Sequence, residues 1–140
     1  MTELNRSRPF VGRVLAFLGL LMPLGGCGEI IWRGDLAGAQ RQASRDGRLV
    51  VVYYSALLNR DCQIMDSRVF LNGDVIKTLA GTIPVRLEAA WHRRWADQLG
   101  IRQIPSFVIY GQDGKAIRIR QGPMDEAQFR AFIVAGKLNR

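Results

Sequence analysis

The sequence predicts a single α/β domain in which a mixed central sheet lies between layers of helices. Segments 49–54 and 106–110 are short, uninterrupted apolar runs, a pattern that is typical of strands covered by helices on both faces. Segments with helical spacing separate most of the predicted strands, so the order is helix, strand, helix, strand, helix, strand, strand, helix. Only the last two strands follow each other directly, which indicates one hairpin.

The first helix is predicted to begin after Asp35, a favourable N-cap residue, and to end at Gly47. Leu36, Ala39 and Ala43 recur at helical spacing between these two signals. The run at 49–54 (LVVVYY) follows and is predicted to be the central strand of the sheet, because its residues are apolar without a break.

A second helix is predicted after Asn59, whose side chain is also a favourable N-cap. Four of its residues share one face: Cys62, Met65, Asp66 and Val69. Asn72 and Gly73 interrupt this helix, and a shorter helical stretch follows them. Segment 82–87 is then predicted to be a second strand, weakened or bent by Pro84.

A third helix is predicted to place Trp91 and Trp95 in the core and to end at Gly100. The strand at 106–110, a turn at 111–114 and the alternating strand at 115–120 form the hairpin. Arg118 and Arg120 are predicted to lie on the solvated face of that last strand. A final helix opens near residue 124 and presents three residues to the core: Phe129, Phe132 and Ile133.

Composition excludes several classes of function. The chain has 140 residues, 48% of them hydrophobic and 23% charged, so it fits one globular domain. The net charge is +8, but the basic residues are scattered along the chain, which argues against a nucleic-acid partner. Two cysteines are too few for a disulfide scaffold or a four-thiolate zinc site. The single histidine, His92, is predicted to be a solvated helix residue, so no metal and no cofactor are expected.

The amino terminus has the three zones of an export signal. Arg6, Arg8 and Arg13 precede an apolar run at 14–24, which is too short to span a bilayer. The sequence Leu-Gly-Gly-Cys at 24–27 resembles the lipobox of bacterial lipoproteins, in which the cysteine is lipidated after cleavage. This pattern predicts a signal peptide at 1–26, a short tether at 27–34 beginning with lipidated Cys27, and a folded domain at 35–140.

The predicted location is the bacterial cell envelope, with the domain anchored to a membrane and facing the periplasm or the exterior. The choice between inner and outer membrane stays open. A signal anchor that is not cleaved is an alternative, and an unlipidated Cys27 would then be able to pair with Cys62 in an oxidising compartment.

The mature chain resembles the thioredoxin superfamily, specifically its exported members. The resemblance rests on Trp32 with the alanine-rich helix after it, on the strand LVVVYYSA, on the stretch around Cys62, and on Gln-Ile-Pro-Ser at 103–106. These features follow the family's order and cover nearly all of the mature chain. The resemblance implies a thioredoxin-like three-layer sandwich.

The family's redox motif is incomplete in this sequence. That motif is Cys-x-x-Cys, and its second cysteine corresponds to Cys62, whereas the first position holds Asn59. Leu58 stands where a tryptophan is usual, and Tyr53 stands where many members have a buried acid. The resemblance also implies that Pro105 is the family's cis-proline, and that Asn59, Ile104 and Pro105 form a groove for an extended peptide.

Two functions are compatible with this pattern. The first is a peptide-binding, protein-binding or chaperone-like module that has lost redox chemistry, with Cys62 as a small buried residue. The second is a thiol-disulfide oxidoreductase in which Cys62 is the catalytic thiol and reacts with a thiol or disulfide of a partner protein. Both functions require a protein or peptide partner.

Overall fold

The computed structural model describes residues 28–139. The predicted signal peptide and the predicted lipidation of Cys27 lie outside the described residues, as does Arg140. Within the described range, none of the helices combines the length and the apolar character needed to cross a membrane.

The described residues fold into helices and strands in the predicted order. The α-helices are α1 (Leu36–Asp46), α2 (Arg60–Ile64), α3 (Gly73–Leu79), α4 (Arg93–Gln98) and α5 (Glu126–Leu138), and Met65–Val69 is a π-helical segment that continues α2. The strands are β1 (Val50–Ser55), β2 (Ile83–Glu88), β3 (Ser106–Tyr110) and β4 (Ala116–Gln121).

The four strands form one mixed sheet in the order β2-β1-β3-β4. Strand β1 runs parallel to β2 and antiparallel to β3, and β3 pairs antiparallel with β4. The carboxyl ends of β1 and β2 therefore meet the amino end of β3 at one end of the sheet. We call this the site end, because the loops that leave it carry the predicted site residues.

Two apolar cores cover the two faces of the sheet, which confirms the predicted helix, sheet, helix layering. The larger core packs α2, the π-helical segment, α3 and α5 around Tyr53, Phe107 and Phe129, all of which are fully buried. The smaller core lies under α1 and α4 and contains Ala39 and Val52. The sheet is thus a rigid base for the loops at its site end.

The capping residues hold the helices where the sequence places them. Asp35 accepts a hydrogen bond from the Gly38 N–H at 3.0 Å and begins α1, and Gly47 ends it in the left-handed region at φ 65°. Asp125 caps α5 in the same way and exchanges a second hydrogen bond with Gln128. The predicted start and end of α1 are confirmed, as is the complete burial of β1.

The prediction for Trp91 is wrong. Helix α4 begins only at Arg93, so Trp91 lies in the turn after β2, and its side chain is 82% exposed. The Trp91 N–H donates to the Glu88 carbonyl at 3.1 Å, which closes this turn before the helix starts. His92 is not a helix residue either: it is half-buried in the N-cap position, with Nδ1 3.0 Å from the Glu88 carbonyl oxygen.

Two further details differ from the predictions. The predicted second helix changes to π geometry at Met65–Val69, and its last turn closes with the Phe70 N–H donating to the Met65 carbonyl at 3.0 Å. Arg118 is half-buried rather than fully solvated, because its guanidinium lies 5.7 Å from the centre of the Phe132 ring. Arg120 is exposed, as predicted.

The segment that precedes α1 packs against the domain. Ile30 is only 9% exposed and belongs to the larger core, and Trp32 contacts Phe70 edge-on and Tyr53 with tilted rings. Arg33 forms a parallel bridge with Val85 on the outer edge of β2. Residues 30–33, which the sequence assigns to the tether, are therefore held by the domain.

Candidate functional site

Three loops meet at the site end of the sheet. Loop 56–59 follows β1, loop 89–92 follows β2, and loop 102–105 precedes β3. The Ala89 N–H donates to the Ser55 carbonyl at 2.7 Å, which joins the first two loops. Tyr54 donates from its hydroxyl to the Ala89 carbonyl at 3.2 Å and fixes the second loop from below.

Asn59 uses both ends of its amide. The side-chain oxygen accepts from the Cys62 N–H at 3.0 Å and so caps α2, as the sequence predicts. The side-chain nitrogen donates to the Ile104 carbonyl at 3.4 Å. Asn59 therefore connects the first turn of α2 to the loop before Pro105, two segments that are 45 residues apart.

Cys62 is buried and faces the core. Its exposed fraction is 1%, and it is the free cysteine of the described residues. It packs in the same cluster as Met65 and Tyr53, and the Tyr53 hydroxyl donates to its carbonyl at 3.4 Å. Thiol chemistry requires an accessible thiolate, and this environment provides no access.

The peptide bond between Ile104 and Pro105 is cis, as the resemblance implies. Pro105 is buried and Ile104 is half-buried, and the Gly122 N–H donates to the Pro105 carbonyl at 2.8 Å. The side-chain oxygen of Gln121 accepts from the N–H groups of residues 102 and 103 at 2.7 and 3.1 Å. Strand β4 thus holds this loop in place.

One backbone donor of this loop stays available. Within residues 28–139, the Ile104 N–H makes no hydrogen bond, whereas its carbonyl is bonded to Asn59. An extended peptide beside this loop would find a free N–H and would compete with Asn59 for the carbonyl. The structure brings Asn59, Ile104 and Pro105 together, and it places the Cys62 side chain beneath them.

A polar cluster replaces the buried acid expected from the family pattern. Tyr53 stacks on Phe107, with ring centres 5.2 Å apart and planes inclined by 8°. The Arg86 guanidinium lies 5.0 Å from the centre of the Tyr53 ring and binds Asp66 through two hydrogen bonds of 3.0 and 2.8 Å. Burial raises the pKa of the Tyr53 hydroxyl further above its usual range. At neutral pH the Tyr53 hydroxyl therefore stays protonated and is not a base for Cys62, and the Asp66 carboxylate is engaged by Arg86.

Large apolar side chains project from the site end. Leu57 is 78% exposed, Leu58 is 88% exposed, and Trp91 is 82% exposed on the neighbouring loop. Exposed cations lie on the same loops and helix starts: Arg60, Arg93, Arg94 and Arg102. Exposed large apolar groups that share one end of a domain with a free backbone donor are typical of a binding surface.

Sequence reasoning missed several of these residues. The predicted site does not include Leu57 and Trp91, although an apolar pair in a loop and a tryptophan between two helix signals are detectable in the sequence. The sequence places Asp66 on a helix face but does not identify its partner, Arg86. An arginine in an otherwise apolar strand is the feature that could have indicated an ion pair. No group of three or more His, Cys, Asp or Glu side chains that could hold a metal is present in the described part of the chain.

The arrangement of this sheet and its cis-proline loop is the thioredoxin fold. Solved structures similar to the chain include an oxidoreductase, DsbH, with a TM-score of 0.68 and 12% identity, over 88% of this chain and 94% of that one. A thioredoxin from Thermus thermophilus matches with a TM-score of 0.66 and 20% identity, over 77% and 87% of the two chains.

A third similar structure is the C-terminal domain of DsbD from Neisseria meningitidis, in its oxidised form. The TM-score is 0.58 and the identity 15%, over 79% of this chain and all of that domain (100%). At such identities the likeness concerns the fold. No family model matches the sequence, and no curated protein matches it.

The accessibility of Cys62 can be measured directly. We expect a thiol reagent to modify Cys62 at least about 100-fold more slowly in the native protein than in urea, because reaction requires an opening that costs several kcal/mol. Mass spectrometry of the Cys62 peptide during a labelling time course gives both rates. Rapid native labelling would show that the thiol is accessible and would support the oxidoreductase alternative.

Proposed function

We propose that this chain is a lipid-anchored protein of the bacterial envelope that binds an extended segment of a partner protein without exchanging disulfides. The observation that carries this proposal is the state of the motif: Asn59 occupies the first cysteine position and hydrogen-bonds on both sides, while Cys62 is 1% exposed. The anchor part of the proposal rests on the sequence at 24–27.

Catalysis of disulfide exchange requires two functions that this site lacks. An attacking thiolate must reach the substrate disulfide, and a second thiol must then displace the substrate from the mixed disulfide. Asn59 has no thiol, and Cys62 reaches no solvent. The monothiol alternative therefore depends on a local opening around α2, and nothing in the geometry of the site favours it.

The site retains the elements that peptide binding needs. The Ile104 N–H is free to pair with a carbonyl of an extended chain, and the exposed side chains of Leu58 and Trp91, on the loops after β1 and β2, offer apolar contacts. Arg102 is paired with Asp97 at 3.2 Å, but Arg60, Arg93 and Arg94 form no ion pair within the described residues and favour a segment that carries carboxylates. We therefore expect the ligand to be an extended peptide that combines apolar and acidic residues.

A binding titration tests this function. A fluorescent, unstructured peptide of alternating Leu and Glu is titrated with the protein and compared with a Leu and Lys peptide of the same length. We expect the acidic peptide to bind more tightly. Leu58→Ser is expected to weaken its binding about 5- to 30-fold, since an apolar contact of 1–2 kcal/mol is lost.

The matched control is Leu71→Ser, which removes an equally large side chain that is 69% exposed beyond the π-helical segment. This variant should bind like the wild type. Equal binding by the wild type and Leu58→Ser would show that the site end does not bind the peptide. A covalent adduct between Cys62 and a disulfide-containing peptide would instead favour the oxidoreductase.

A further inference from the structure

The end of the domain opposite the site carries the start of the described chain. Arg33 pairs in parallel with Val85 of β2, so the residues before Arg33 run back toward the amino end of that strand. Gly28 lies against α3, where an added Cβ would be 3.4 Å from the Ile76 side chain. Helix α3 leads directly into the amino end of β2. The chain therefore enters the domain at the end away from the site.

The connection between Cys27 and the folded domain is very short. Ile30 is 9% exposed and is already part of the core, so only residues 27–29 remain as a link. Three extended residues span roughly 10 Å. An acyl chain on Cys27 would therefore hold this end of the domain against the lipid headgroups and leave little freedom for the domain to turn over.

Five cations lie at this end, which we call the anchor end. Its members are Arg45, Arg48, Lys77, Lys115 and Lys137. They come from the end of α1, the end of α3, the β-hairpin turn and the end of α5, all of which lie at the amino end of β1 and β2. The acidic residues of the same end are fewer: Glu29, Asp46 and Asp113.

The orientation of two of these cations is fixed by the backbone. Arg48 donates to the carbonyls of Gly81 and Thr82 at 2.9 and 2.6 Å, and Lys137 donates to the Thr78 carbonyl at 2.6 Å. Lys137 is held at the last turn of α3 and Arg48 at the loop between α3 and β2, and neither forms an ion pair within the described residues. Leu138 lies beside Lys137 and is 80% exposed.

We infer that the anchor end is a membrane-contact surface that binds anionic phospholipid headgroups and directs the site end away from the bilayer. This inference rests on the lipid anchor in the proposed function. Each basic residue near an anionic surface contributes about 1 kcal/mol of attraction, so several weak contacts add to the anchor. The bound peptide would then enter from the aqueous side.

The first test measures orientation in the full-length protein purified from bacterial membranes. Mass spectrometry of the N-terminal peptide reports whether Cys27 is acylated, independently of the contact surface. Leu138→Cys and Leu58→Cys variants are labelled with a fluorophore and reconstituted in vesicles that contain phosphatidylglycerol and a lipid-borne quencher. Strong quenching is expected for Leu138→Cys and weak quenching for Leu58→Cys. Equal or reversed quenching would overturn the inference.

The second test measures the charge contribution without the anchor. Full-length protein with Cys27→Ser is sedimented with phosphatidylcholine vesicles, with or without phosphatidylglycerol. Arg45→Glu with Lys77→Glu should reduce binding to the anionic vesicles at least about 30-fold, because two favourable contacts of 1 kcal/mol each are removed and two repulsions added. Arg68→Glu with Arg120→Glu changes the net charge equally at exposed positions away from the anchor end and should reduce binding far less.

Equal losses of vesicle binding in both double variants would show that only the overall charge matters, and would overturn the inferred contact surface. Absence of the acyl group on Cys27, together with selective loss in the first double variant, would refute the proposed anchor and leave the surface intact.

Discussion

Asn59→Cys is expected to give this protein a disulfide reductase activity, and none is expected in the wild type. The substitution restores the Cys-x-x-Cys spacing with Cys62 at the start of α2, where the Asn59 oxygen already lies 3.0 Å from the Cys62 N–H. The new thiol would lie at the beginning of a helix, at a position that is half-buried in the wild type, in a motif that lowers the pKa of its first thiol to about 7 in thioredoxin.

The variant is expected to reduce a substrate disulfide in two steps. Its thiolate attacks a substrate disulfide and releases one substrate thiol, and Cys62 then attacks the mixed disulfide and releases the second. The protein dithiol is oxidised to a disulfide, the substrate disulfide is reduced to two thiols, and dithiothreitol restores the dithiol. Reduction of insulin, followed as turbidity, measures the turnover.

Two control variants separate chemistry from structure. Asn59→Ser keeps an oxygen that can cap α2 and should remain inactive. Asn59→Cys combined with Cys62→Ser should form stable mixed disulfides without turnover, because the resolving thiol is missing. On oxidation, the Asn59→Cys variant should lose two hydrogens in its mass as residues 59 and 62 form a disulfide. If it does not, the two positions cannot be bridged, and Asn59 does not occupy the first motif position.

Phe107→Ala is expected to cause the largest loss of stability of any single truncation in the sheet. Phe107 is fully buried in β3 and contacts Tyr53, Phe70, Phe129 and Phe132 with ring centres 5.2 to 6.5 Å apart. Removing a buried ring costs about 3–5 kcal/mol through lost transfer energy and the cavity that remains. Urea unfolding followed by circular dichroism measures this loss.

Because such a loss approaches the whole stability of a small domain, a milder variant is measured beside it. Phe107→Leu keeps most of the volume and should cost clearly less than Phe107→Ala. Leu138→Ala truncates a side chain that is 80% exposed and should change the free energy of unfolding by less than about 0.5 kcal/mol. A similar small change for Phe107→Ala would mean that the aromatic core is not packed as described.

The fold could be predicted because its signals are local. The apolar run of β1, the cap at Asp35 and the stop at Gly47 each act within a few residues. The error at Trp91 has a local cause as well. The spacing of Trp91 and Trp95 suits one helix, but the turn after β2 delays the start of α4 to Arg93. His92 at the N-cap position makes no side-chain capping hydrogen bond, so the sequence does not mark this start.

The site was harder to predict because its contacts join distant segments. The hydrogen bond from Asn59 to Ile104 spans 45 residues, and the pairing of Arg86 with Asp66 spans 20. The sequence shows that Asn59 can cap a helix. Only the packing of β3 beside β1 shows that its side-chain nitrogen donates to the Ile104 carbonyl. Likewise, the sequence leaves the exposure of Cys62 open between two functions, and its packing in the larger core decides it.

The two hydrogen bonds of the Asn59 amide have a consequence for the conditions under which the protein works. In a dithiol protein, the corresponding turn alternates between a closed covalent form and an open reduced form as the surrounding thiol pool changes. Here the turn is held by an amide that takes no part in electron transfer. We therefore expect the loop around Pro105 to keep the same shape in oxidising and in reducing surroundings, so that a partner would find it unchanged under oxidative stress.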